Sequence, residues 1–123
     1  MLDQAYHLND FENENITPLQ INEKYTNEFY SLPFVANTYS HLRYTHLVGY
    51  GAKYYSYVVS KAIAAKIWSD CFEKDPLNRA AGEKYRSQLL EYGGERRARE
   101  LISSLIGFDL NNDDLVKSLT KNI

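Results

Sequence analysis

Few groups in this chain have the type and spacing to do chemistry. The histidines are His7, His41 and His46, and the single cysteine is Cys71. A helical zinc hydrolase needs His-Glu-x-x-His, because two histidines four apart share a helix face and the glutamate beside the first activates water. No glutamate follows any of these histidines, and the spacing of His41 and His46 does not place both on one face. No metal ligand is therefore assigned. A cysteine nucleophile needs a poised histidine partner. Cys71 falls instead on an apolar stripe and reads as an inert core thiol. Gly49-Tyr50-Gly51 lies in an aromatic run without the strand and further glycine that a phosphate loop requires. Asn15-Ile16-Thr17 matches a glycosylation sequon, a pattern common by chance and at odds with a lone cysteine.

What remains is the run Tyr44-Thr45-His46-Leu47-Val48-Gly49-Tyr50-Gly51-Ala52-Lys53-Tyr54-Tyr55-Ser56-Tyr57. Tyrosine is the unusual residue of the whole chain, with 11 copies against 5 Phe and one Trp. A phenol has an apolar body and a polar tip, so tyrosine concentrates where one end is packed and the other meets water or a ligand. Gly49 and Gly51 permit backbone angles that other residues avoid, giving the run a hinge and a close approach to a ligand. Tyr54 and Tyr57, three apart in the first turn of a following helix, would project to one side. Their hydroxyls at the mouth of a cleft can donate to a peptide carbonyl or to a developing oxyanion. The bland alternative stays open: these are core aromatics at a helix start, and His46 is a satisfied buried histidine.

The elements that must position this run are helical. Apolar residues recur at helical spacing almost throughout. Residues 1–8 are too short to judge, and polar residues 9–16 read as a loop. Thr17 offers an N-cap, Pro18 suits the first helical position and Gln20 completes a capping box. Ile21, Tyr25, Phe29 and Leu32 then give one apolar face up to Pro33. Residues 33–52 read as an ordered loop or short strand, broken by Pro33, Asn37, Gly49 and Gly51. A long helix is expected from Lys53 to about Lys74, with two adjacent apolar stripes that imply cover on most sides. Asp75-Pro76 reads as an N-cap and first-turn proline, with Gly93-Gly94 as the stop; Leu77, Ala81, Tyr85, Leu89 and Tyr92 line the face between. A helix from about Glu95 to Ile106 turns Ala98, Leu101, Ile102 and Leu105 inward, with Gly107 at its end. Asn111 or Asn112 caps a last short helix. The expected fold class is all-α, an array of about five helices with a Gly/Tyr-rich loop, in a single domain over 1–123.

Composition narrows the partners. The formal net charge is -2, and the densest basic cluster is Arg96, Arg97 and Arg99, which argues against nucleic acid or an anionic membrane. No apolar stretch approaches the roughly 18–20 residues that span a bilayer. The acidic residues Asp3, Asp10, Glu12 and Glu14 make the start unlike a signal or transit peptide. A lone cysteine fits a reducing compartment, the cytoplasm if Met1 is the native start.

The central run Leu42-Arg43-Tyr44-Thr45-His46-Leu47-Val48-Gly49-Tyr50-Gly51-Ala52, followed by Tyr54-Tyr55-Ser56-Tyr57, resembles the thimet oligopeptidase family of zinc metalloendopeptidases. Phe29 to Val35 upstream, and Trp68, Asp75-Pro76, Asn78 to Arg86 and Gly93-Gly94 downstream, add to a likeness over roughly residues 25–120. The resemblance implies a piece of a larger helical metallopeptidase, a clamshell with a deep channel and one zinc. It implies that His46 and Tyr50 contact the peptide backbone and that Tyr54 and Tyr57 steady the tetrahedral intermediate. Gly49 and Gly51 become the hinges of that substrate loop. The family's zinc helix and its glutamate ligand have no counterpart in these residues, so no cofactor is expected here, although the family enzyme holds zinc.

The implied function is that of a substrate-binding, C-terminal segment of a zinc-dependent oligopeptidase, inactive by itself. The alternative is a non-catalytic helical module that binds a peptide or a partner chain. A peptide substrate is the expected ligand, with a catalytic half or a second copy of the chain as protein partner. The family's mitochondrial branch implies the mitochondrial matrix.

Overall fold

The Thr17 cap forms as its chemistry dictates. Thr17 Oγ1 accepts the Gln20 N–H at 3.3 Å, and the Gln20 side-chain oxygen accepts the Thr17 N–H at 2.8 Å, with Pro18 in the first turn. In this computed structural model, which describes residues 1–8 and 15–121, the described residues form helices and turns with no strand among them. The expected loop over 9–16 lies, for residues 9–14, outside the described residues. The all-α class is borne out. The helices are α1 (Leu2–His7), α2 (Pro18–Phe29), α3 (His46–Gly49), α4 (Ser56–Ile67), α5 (Arg79–Gln88), α6 (Ala98–Ile106) and α7 (Asn112–Thr120). Two short ones, α1 and α3, join the five read from periodicity. Single 3-10 turns lie at Ser40–Arg43 and Leu90–Tyr92, and a π turn at Trp68–Phe72. The chain divides into two compact units, Met1–Tyr57 and Val58–Ile123, the division falling within α4.

In the first unit α1 packs on α2, burying Ala5 and Ile21. The Tyr6 hydroxyl donates to the Pro18 carbonyl at 2.9 Å, and burial pushes its phenol up to about 12. Buried Asn22 donates to Ser40 Oγ at 3.2 Å, tying α2 to the 3-10 turn. The expected extension of this helix to Leu32 does not occur. It stops at Phe29, where Tyr30 turns to extended angles and Asn27 Oδ1 captures the Phe34 N–H at 2.8 Å, ahead of Pro33. Leu32 is left exposed.

In the second unit the buried face of α6 holds Leu101, Ile102 and Leu105, as expected, and Gly107 ends the helix at a φ of 86°. Only glycine takes such an angle without strain, and the Gly107 N–H closes on the Ser103 carbonyl at 2.9 Å. Ala98, expected inward, is exposed at the start of α6. Asn111 caps α7 in a reciprocal capping box with Asp114. Ala62 and Ile67 of α4 are buried too.

Three helix starts fall later than periodicity suggests. α5 begins at Arg79, because Asn78 Oδ1 accepts the Ala81 N–H at 2.9 Å and is the cap. Asp75 serves one turn earlier, accepting from Asn78 Nδ2 at 3.2 Å, which leaves Leu77 outside the helix and exposed. Gly93, at a φ of 51°, closes the Leu90–Tyr92 turn and not α5 itself. α6 starts at Ala98 and not at Glu95. α4 starts at Ser56 and not at Lys53, for a reason that belongs to the site. The cover on most sides expected for the long helix is incomplete, since Tyr55, Val58 and Trp68 stand exposed. Cys71, in the π turn, is half-buried.

Candidate peptide-binding site

Between Tyr50 and Ser56 the backbone turns without forming a helix, and a carboxylate holds it. Asp3, on α1 and 5% exposed, accepts the Ala52 N–H with one oxygen and the Tyr54 N–H with the other, both at 2.9 Å. Hydrogen bonds to an ionised group contribute about 1.5–3 kcal/mol each. Ala52 is thereby held at a φ of 58°, a left-handed angle that costs an alanine roughly 1 kcal/mol. A left-handed residue at position 52 interrupts helical geometry just before Lys53.

The two glycines stand in different surroundings. Gly49 sits inside α3, and a side chain there would meet nothing nearby. Gly51 is the close approach. A Cβ on it would run into the His7 imidazole, whose Cδ2 and Cε1 lie 3.1 Å from that position. The His7 ring is itself tethered, with Nδ1 2.7 Å from the Asp3 carbonyl oxygen and 3.3 Å from Asp3 Oδ1. The left-handed residue in the run is Ala52, between the glycine and the tyrosines.

The fixed loop gathers four aromatic side chains. The His46 ring meets Tyr54 edge-on at 5.5 Å and Tyr57 at 5.9 Å between centroids, with Tyr50 at 6.4 Å. Tyr57 lies 5.2 Å from Tyr54 and 6.0 Å from Tyr50. These are ordinary aromatic contact distances. His46 and all three tyrosines are exposed, so the alternative of a satisfied buried histidine does not hold. Tyr54 stands in the turn before α4 and Tyr57 in its first turn, so the three-residue step still brings them to one side. A cavity of about 270 Å³ opens beside the cluster, lined by Leu2, Asp3, Tyr30, Tyr44, Leu47 and Tyr54 among others. The phenol and imidazole tips can donate to carbonyls or accept from amides, and the rings offer flat apolar contact.

His41, the other histidine near the run, is buried beside Tyr6 and Tyr39 and belongs to the packing. Among the described residues no three His, Cys, Asp or Glu side chains converge to hold a metal ion. The described residues therefore do not fit a zinc site, and no chemical step is derived through one.

The model of peptidase family M3 matches residues 1–121. The chain belongs to peptidase family M3. Its M3 relatives include the mitochondrial intermediate peptidase of Homo sapiens, 42% identical over 123 residues, covering 99% of this chain and 17% of that protein. The enzyme of the same name from Mus musculus is 42% identical over 122 residues, again 99% of this chain and 17% of the relative. That of Coprinopsis scobicola is 39% identical over 115 residues, 86% of this chain and 14% of the relative. The chain thus spans about a sixth of the length of the first of these M3 relatives. No solved structure matches it. The resemblance read from residues 42–57 is borne out, and the chain is a peptidase-family segment with an all-helical fold.

Asp3 and His7 escaped the sequence reading. Asp3 reaches partners 49 and 51 residues along the chain. A single acidic residue in the first turn of a six-residue helix carries no local signal of such a role.

Proposed function

We propose that residues 46–57 hold the substrate backbone for an M3 peptidase and that the chain does not hydrolyse peptides unaided. The observation that carries this is the gathering of His46, Tyr50, Tyr54 and Tyr57 into one exposed aromatic cluster on a backbone locked by Asp3. In this reading His46 and Tyr50 contact the peptide main chain. Tyr54 and Tyr57 donate hydrogen bonds toward the carbonyl oxygen as it gains negative charge. The Tyr54-flanking cavity receives a substrate side chain, an apolar recess edged by a few polar tips. Gly51 lets the loop sit on His7, and Gly49 leaves the α3 surface open beside Tyr50.

The exposed apolar residues fit a segment that functions inside a longer enzyme. Val48 and Leu77 are each 92% exposed, and Leu42 is 75% exposed. Exposed apolar surface marks contact sites where it is contiguous, and the relatives are several times longer than this chain. Their names support a mitochondrial address. In a full-length M3 enzyme the zinc would supply Lewis-acid activation of water and carbonyl, from ligands outside these residues.

The test is an exchange of segments. Purified chain with added zinc is expected to give no turnover of a quenched fluorescent octapeptide. A chimera in which the chain replaces the matching residues of the Homo sapiens mitochondrial intermediate peptidase is expected to cleave it. Metal-dependent turnover by the chain alone would refute the claim of inactivity. An inactive but folded chimera, with peptide binding kept by the isolated chain, would favour the non-catalytic binding module instead.

A further inference from the structure

We propose that Asp3 is the positioning residue of the aromatic cluster, its carboxylate fixing Tyr54 against His46 and Tyr57. The inference rests on the peptide-holding reading of residues 46–57, and it adds a residue that touches no substrate. Asp3 Oδ1 takes the Ala52 N–H and Oδ2 the Tyr54 N–H, each at 2.9 Å, so one planar group grips two amides across Lys53. This sets both where Tyr54 leaves the backbone and where α4 can begin. With the grip in place the Tyr54 ring lies 5.5 Å from His46 and 5.2 Å from Tyr57. Without it the left-handed angle of Ala52 loses the bond that holds it, and Tyr54 is released from its place against His46 and Tyr57.

A packing role alone does not account for a carboxylate at this position. Asp3 is 5% exposed, and burying a charged group is costly unless hydrogen bonds replace its water. An apolar side chain would fill the space without that cost. What only the carboxylate supplies is the pair of acceptors. His7 completes the arrangement. Its Nδ1 lies 2.7 Å from the Asp3 carbonyl oxygen, and its ring occupies the space that Gly51 leaves open, so α1 braces the loop from below as well as gripping it.

The experiment uses the isotope-labelled chain as it stands, the Asp3→Asn variant, and a fluorescein-labelled octapeptide as probe. Asparagine keeps one acceptor and presents a donor to the other amide. In the unsubstituted chain the amide nitrogens of residues 52 and 54 are expected to show hydrogen-bond couplings to the Asp3 carboxyl carbon. In Asp3→Asn, exchange of at least one of these amides is expected to accelerate about tenfold or more, the size of a lost bond to a charged group. The nuclear Overhauser contacts between His46 and Tyr54 should fade. Peptide affinity should fall by about the same factor, while exchange at Leu101 and Leu105 stays as it was. A variant that failed to fold would leave the couplings of the unsubstituted chain to decide. Absent couplings, or ring contacts and affinity unchanged in Asp3→Asn, would overturn the inference. A chain that shows the couplings and the loss of ring contacts but never binds the peptide would uphold Asp3 as the positioning group and refute the peptide-holding reading.

Discussion

Replacing Tyr57 by phenylalanine in the segment-exchange chimera is expected to lower kcat roughly 100-fold while KM changes by less than about threefold. The substitution removes one hydroxyl and leaves the ring, so the contacts with His46, Tyr50 and Tyr54 at 5.2–6.0 Å persist. A donor aimed at the charge that develops on the carbonyl oxygen acts most strongly in the transition state. Its loss therefore appears in kcat. Tyr50 gives the contrast. If it contacts the main chain of the bound peptide throughout, Tyr50→Phe raises KM and leaves kcat near its starting value. Steady-state kinetics on the two variants separate the roles. Equal effects on KM from both, with kcat intact, would reduce Tyr57 to a ground-state contact.

The second large effect concerns stability. Leu105 has no exposed surface, and with Leu101 and Ile102 it forms the buried face of α6. Leu105→Ala is expected to destabilise the second unit by about 2–5 kcal/mol, the transfer energy of the lost atoms plus the cavity they leave. Whole domains are stable by only about 5–15 kcal/mol, so such a loss is a large fraction of the total. Chemical denaturation followed by far-UV circular dichroism measures it. A loss below about 1 kcal/mol would show that α6 closes over the gap and that Leu105 is not the centre of the packing. Val58, Trp68 and Leu77 give the opposite expectation. They are large and apolar but exposed, so truncating them in the isolated chain changes little.

The helix starts were legible wherever the cap is local. Thr17 with Gln20 is complete within four residues and forms as expected, and of the two candidates Asn111 and Asn112 it is Asn111 that caps α7, closing on Asp114. The cap of α5 was misplaced by three residues, because Asp75 and Asn78 are both capping types and only the folded backbone distinguishes them. The end of α2 depended on Asn27 reaching the Phe34 N–H, a contact that apolar periodicity does not register. Periodicity also treated every apolar stripe as an inward face. The exposed Tyr55, Val58 and Trp68 show that an apolar stripe in this chain is not always an inward face.

The aromatic cluster was legible for a different reason. Its members lie within twelve residues, so their types and spacing were visible together. Their joint placement was not, because it depends on Asp3, which acts from some fifty residues away. The glycines illustrate the same limit. Their freedom is visible in the sequence, but not that Gly51 makes room for His7 or that the left-handed turn falls on Ala52.

Photo-crosslinking tests the central claim most directly. A slowly cleaved octapeptide carrying a benzophenone side chain beside the scissile bond is bound to the chimera, irradiated and mapped by mass spectrometry. The expected result is crosslinks concentrated in residues 46–57, competed away by unlabelled substrate and reduced in Asp3→Asn. Competed crosslinks confined to other parts of the chimera, with residues 46–57 unlabelled, would contradict a substrate-holding role for His46, Tyr50, Tyr54 and Tyr57.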